Sequence, residues 1–88
     1  MANIRDLKKD INFVLGDIID AVYLWEGINP DQDTKKSESI IDDAISVFDE
    51  LIAKVSDREI ENRSSHLKSV RADLEVKAKE LVDRINAL

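Results

Sequence analysis

The sequence predicts an all-α fold: an up-down-up three-helix bundle with a long third helix. Three observations predict it. Apolar residues recur every three or four positions along the 88 residues, with no sustained strand-like alternation. Only two Gly and one Pro are present, and Gly27 and Pro30 fall together in one place. Charged residues are 36% of the chain and hydrophobic ones 43%. That balance suits amphipathic helices sharing one core, and it is too apolar for a disordered acidic tail. A chain of this length makes a single helical domain, 1–88.

The first helix is expected over about 4–26. Ile4, Leu7, Ile11, Val14, Leu15, Ile18, Val22 and Trp25 form one stripe at about 100° per residue. Asn3 suits the N-cap, and Asp6 suits the positive end of the helix dipole. Gly16 sits mid-helix on the polar side, at a cost of about 1 kcal/mol relative to Ala. Gly27 is expected to end the helix in the left-handed C′ position, with Pro30 preventing its resumption.

The second helix is expected over about 37–55, capped by Thr34 or Ser37. Its stripe reads Ile41, Ala44, Ile45, Phe48, Leu51, Ile52 and Val55, with Asp42, Asp43, Asp49 and Glu50 opposite. The break before the third helix carries no Gly or Pro. Ser56-Asp57-Arg58-Glu59 has the capping-box pattern, Ser followed three residues later by Glu. Ile60 shares a stripe with Leu67, Leu74, Leu81 and Leu88, each seven residues apart. Both signs place the turn near Ser56 and the third helix over about 57–87. The rival turn, at Asn62 to Ser65 near Ser64, would make the three helices nearly equal. A third helix of the longer kind spans about 45 Å against about 35 Å for the first, and its early part overhangs. Its stripe is Ile60, Leu67, Val70, Leu74, Ala78, Leu81, Val82 and Ile85. Glu59–Arg63, Asp73–Lys77, Glu75–Lys79 and Glu80–Arg84 are spaced for pairing on its exposed side.

Composition excludes much. There is no Cys, which rules out disulfides, thiol catalysis and cysteine-ligated metal. The formal charge of -6 argues against nucleic acid, whose phosphates need a basic surface. No apolar run reaches the roughly 20 residues that cross a bilayer, so no membrane partner is expected. Early charges leave no secretory h-region, and Arg84-Ile85-Asn86-Ala87-Leu88 carries no lipidation signal, so the expected compartment is cytoplasmic.

Candidate chemistry is sparse. Asp6, Asp10, Asp17 and Asp20 lie on one side of the first helix, but about 10 Å of rise separates Asp10 from Asp17, too far to share a metal. They read as a solvated face, or as a docking face for a basic protein. Asn29-Pro30-Asp31-Gln32-Asp33 copies the start of a calcium loop, but Thr34 stands where Gly is needed and Ile40 where Glu is needed. His66, the only histidine, has no acid or nucleophile placed beside it by the sequence and reads as structural. Ser65-His66-Leu67-Lys68-Ser69 is a poor copy of the phospho-accepting histidine of two-component bundles. Neither a phosphate loop nor a Glu-x-x-His pair occurs, so no enzyme activity and no cofactor is expected.

Two resemblances bear on function. Trp25-Glu26-Gly27 resembles the Trp-x-Gly turn of the WXG100 family of small secreted helical hairpins. The likeness covers three residues, and the third helix and the missing C-terminal secretion motif depart from it. More broadly, Ile4-Arg5-Asp6-Leu7-Lys8-Lys9-Asp10-Ile11, Val22-Tyr23-Leu24-Trp25-Glu26 and Asp33-Thr34-Lys35-Lys36-Ser37-Glu38 look like small all-helical bacterial proteins of unknown function. That likeness implies a fold and no functional residue.

The expected role is therefore a non-enzymatic structural or protein-interaction protein that self-associates as a homodimer. A small core contributes little net stability, and Phe13, Ile19, Tyr23, Leu24, Ile40, Val47 and Val76 fall at or beyond the stripe margins. Tyr23, Leu24 and Trp25 are the expected contact surface, because aromatic residues concentrate interface energy. The alternatives are a binding module for a basic protein, steered by Asp10 and Asp17, and a secreted helical effector of the Trp-x-Gly kind.

Overall fold

The computed structural model describes residues 4–57 and 62–88. They form three helices: α1 (Ile4–Ile28), α2 (Lys35–Ser56) and α3 (Arg63–Asn86). Each packs against the other two, in a rod of 51 × 19 × 16 Å. Side-chain links give the directions. Asp10 of α1 pairs with Arg71 of α3, early in both helices, so these two run parallel. Lys54 meets Asp73, and Arg84 meets Asp43 and Ser39, so α2 runs against α3. This is the up-down-up bundle that the periodicity predicts.

The core follows from helical spacing. Leu7, Ile11, Leu15, Ile18 and Val22 of α1 are buried, as are Ile40, Ile41, Ala44, Leu51 and Val55 of α2. From α3 come Leu67, Val70, Leu74 and Leu81. Fully burying one such side chain contributes roughly 1.5–3 kcal/mol. In α2 the stripe is rotated from the expected one. Ile40, placed at a margin, is 1% exposed, while Ile45, placed in the stripe, is 48% exposed. Both patterns have helical period. Only the positions of two neighbouring helices decide which edge is covered. Val82 of α3 is likewise exposed and not in the core.

The helix ends correct several boundaries. Gly27 lies inside α1, and neither glycine has a positive φ. The helix runs on to Ile28 and stops at Asn29, whose N–H and side-chain amide both donate to the Trp25 carbonyl. Pro30 follows and removes the next donor. The start of α2 is Lys35 and not residue 37. Thr34 is its N-cap, and Asp33 Oδ1 accepts from the Lys35 N–H at 2.9 Å. Ser37 is buried in the first turn and donates to the Thr34 carbonyl at 2.9 Å.

The third helix is the main correction. It begins at Arg63, so it has 24 residues against 25 in α1, and it is not long. Asp57 is the C-cap of α2 with extended backbone, φ -68° and ψ 120°, so Ser56 ends one helix and does not start the next. Asn62 caps α3, its side chain accepting from the Ser65 N–H at 3.1 Å. Asn is among the strongest N-caps, and it sets the start that the capping-box pattern had placed too early. Thus α2 ends at the turn placed near Ser56, while α3 starts at the rival position, Asn62 to Ser65. Ile60, Glu59 and the Asn3 cap lie outside the described residues. The predicted overhang of the third helix goes with its extra length.

Candidate protein-interaction surface

The bundle leaves large apolar side chains outside. Phe13, Tyr23, Leu24 and Ile28 of α1, Ile45 of α2, and Val76 and Val82 of α3 are 43% to 69% exposed. Four of these seven stand on α1, so α1 is the helix with most to offer a partner.

The three residues expected to form one contact surface separate. Trp25 is half-buried, while Tyr23 and Leu24 are exposed. Successive helical residues point about 100° apart. Trp25 continues the Leu7–Ile18–Val22 stripe, Tyr23 follows Gly16 by seven residues on the α2 side, and Leu24 continues the Asp10–Asp17 row. By helical spacing the three point in different directions around α1.

The acidic row is broken by a link within the fold. Asp10 accepts from Arg71 Nη2 at 2.9 Å, with both side chains less than half exposed. Asp17 and Asp20 are exposed, and Phe13 shares their side with Lys9 Nζ lying 5.7 Å from its ring centroid. That row is thus mixed in charge and chemistry. Among the described residues no group of three or more His, Cys, Asp or Glu could hold a metal. In the supposed calcium loop, the Asp33 carboxylate caps α2 and Asn29 ties down the end of α1.

Several open depressions mark the surface, and one of about 250 Å³ lies between α2 and α3 beside Asp43, Lys77, Glu80 and Arg84. Another, of about 400 Å³, lies between α1 and α3, where the Asp10–Arg71 bridge, Phe13 and Glu75 surround Val14, Leu74 and Ala78. A third, of about 320 Å³, lies at one end of the rod between Lys35, Lys36 and Arg84. Arg84 is engaged there by Asp43 and Ser39. A fourth, of about 190 Å³, lies between α1 and α2 and is lined by Asn12, Leu15, Gly16, Ile19, Ile45 and Phe48. Unlike the others described, it has no charged residue in its lining. A Cβ added at Gly16 would meet nothing within 4 Å. No neighbour inside the chain requires glycine at this position, although it costs helix stability there.

His66 is half-buried, with Nε2 2.6 Å from the Lys54 carbonyl oxygen. A carbonyl only accepts, so Nε2 carries the hydrogen. The ring thus closes the last turn of α2 onto the first turn of α3, a structural use. Beside it the Lys54 ammonium is held above its ordinary pKa of 10.5, chiefly by the hydrogen bond to Glu50. Partial burial opposes this, and Asp73 adds to it. Sequence reasoning missed these links because it paired charges within α3. Asp73 and Arg84 instead reach across to α2.

No helix among the described residues is long and apolar enough to cross a membrane. No protein-family model matches the chain, and no curated protein or solved structure matches it.

Proposed function

We propose that this chain is a non-catalytic structural protein of the cytoplasm that works by protein–protein contact, first of all with a second copy of itself. The observation that carries the reading is the set of large apolar side chains left outside a finished core, four of them on α1. Scattered exposed apolars are ordinary. Here they accompany an uncharged groove on a small rod whose core is only three helices wide. Covering such surface by association adds burial that a domain of this size lacks.

Sedimentation of the full chain across the micromolar range tests the reading. A weight-average mass that rises with concentration toward twice 10.0 kDa supports it. A mass fixed at one chain throughout removes self-association.

A further inference from the structure

The groove between α1 and α2 has a sign at each end. Stepping back from Asn12 by four and seven residues, the same side of α1 carries Lys8 and Arg5. Stepping forward from Ile19 by seven, it carries Glu26. On α2, Glu38 stands seven residues before Ile45, and it is close to Glu26 in the fold because the two helices are antiparallel and joined at that end. Arg5 and Glu38 are exposed, while Lys8 and Glu26 are half-buried. The face therefore runs from basic, through the apolar stretch of Gly16, Ile19 and Ile45, to acidic. Asp42 and Asp49, three residues before and four after Ile45, are exposed along the α2 edge of the apolar stretch, so the basic end is carried by α1 alone.

A face that is positive at one end and negative at the other complements itself when one copy is reversed. That is the requirement of a two-fold interface, where the same patch serves both subunits. We infer that a second copy docks antiparallel on the α1–α2 face, centred on Gly16, with Arg5 and Lys8 of each copy against Glu26 and Glu38 of the other. Gly16 and the open space above it let the second copy approach the α1 backbone at the centre, and Ile19, Tyr23 and Ile45 supply the apolar contact. The extent agrees. From Arg5 to Glu26 is about 32 Å of helix, and across a rod 19 Å wide this gives about 600 Å² per copy. A standard interface covers about 800 Å² per partner, so the whole length of the face is needed, its charged ends included.

The inference rests on the self-association proposed above and assigns it a surface. Sedimentation of four full-length variants beside the wild type tests it. Ile45→Glu and Gly16→Leu are expected to be monomeric where the wild type is dimeric, with unchanged helical circular dichroism. Gly16→Leu keeps the test open if Ile45→Glu unfolds, because a Cβ at this position meets nothing within 4 Å in the single chain. The double variant Arg5→Glu/Lys8→Glu is expected to associate roughly tenfold more weakly. Adding Glu26→Lys and Glu38→Lys to it is expected to restore the wild-type affinity. A dimer that survives Ile45→Glu and Gly16→Leu overturns the groove while leaving self-association intact. Failure of the fourfold charge swap to restore binding overturns the antiparallel register. A wild type that stays monomeric defeats the parent reading itself.

Discussion

The seam between α1 and α2 and the two seams made by α3 are closed in different ways. Each of the three ion pairs that join two described helices has a partner on α3: Asp10–Arg71, Lys54–Asp73 and Asp43–Arg84. They stand at the outer edges of the α3 seams. The outer edge of the α1–α2 seam is apolar and open, with Ile45 half exposed above Gly16. Exposed pairs of this kind contribute about 0–1 kcal/mol each, so they do not explain why α3 docks. Leu67, Val70, Leu74 and Leu81 explain that. What the pairs do is occupy the α3 seams with charge, which makes desolvating those edges against a partner costly. The seam without such pairs is the one that burial by a second copy would complete.

The largest expected effect breaks or confirms the view that apolar burial, and not charge, holds all three seams. Leu15 of α1 is 1% exposed near mid-rod, and Leu81 of α3 is 3% exposed near its end. Truncating either to Ala is expected to cost about 2–5 kcal/mol, with Leu15→Ala toward the top of that range. At mid-rod both partner helices hold the cavity open, while an end can collapse around it. A domain of 88 residues has only about 4–13 kcal/mol in total at typical stability per residue. Urea denaturation followed by the single tryptophan, Trp25, measures both losses. Equal stability of Leu81→Ala and wild type would mean that the α3 charges carry the docking after all.

Much of this was legible from residue spacing. The α1 stripe appears in the core almost as predicted, because its apolar arc is broad enough to meet both neighbours. The α2 stripe was read one edge too far round. Ile40 and Ile45 are chemically identical, and only the crossing of α1 and α3 over α2 decides which is covered. The start of α3 was misplaced because Ser56 and Asn62 are both good caps, and a capping pattern does not say whether the preceding helix is still running. Ser56 was still inside α2. The charge links were illegible for a related reason: Asp73 and Arg84 have partners four residues away in sequence, yet they reach residues 19 and 41 positions distant. The apolar groove around Gly16 was half legible. Gly16, Ile19 and Tyr23 share a side by spacing, but that Ile45 and Phe48 lie opposite them follows only from the docked helices.

A smaller effect separates the two ends of the α2–α3 seam. His66→Ala removes the donor to the Lys54 carbonyl and is expected to cost about 0.5–1.5 kcal/mol. His66→Gln, whose amide still donates, is expected to recover part of it. Amide hydrogen exchange localises the change. Protection should fall in the last turn of α2 and the first turn of α3, and stay unchanged around Asp43 and Arg84 at the far end. A uniform fall along both helices would show that His66 acts through overall stability and not as a local clasp.

The smallest expected effect uses pH to tell the three bridges apart. Two of the three bridges use arginine, whose guanidinium stays charged in proteins, and the third uses a lysine. Lys54 has its pKa raised from 10.5, by the hydrogen bond to Glu50 first and by Asp73 after. A cation whose pKa is higher folded than unfolded adds stability that is complete below the unfolded value and is lost as pH rises through the folded one. The loss therefore begins near pH 10.5 and continues above it. Lys54 is 41% exposed at its side chain, so solvent screening keeps the whole contribution to about 0.2–1 kcal/mol. Comparing wild type with Lys54→Arg isolates it, because every other side chain is common to both. Between about pH 10 and pH 12 the urea midpoint of the wild type is expected to fall further than that of Lys54→Arg. Identical pH profiles would mean that the Lys54–Asp73 bridge adds nothing, leaving the two arginine pairs as the charged links among the described residues that hold α3 in register.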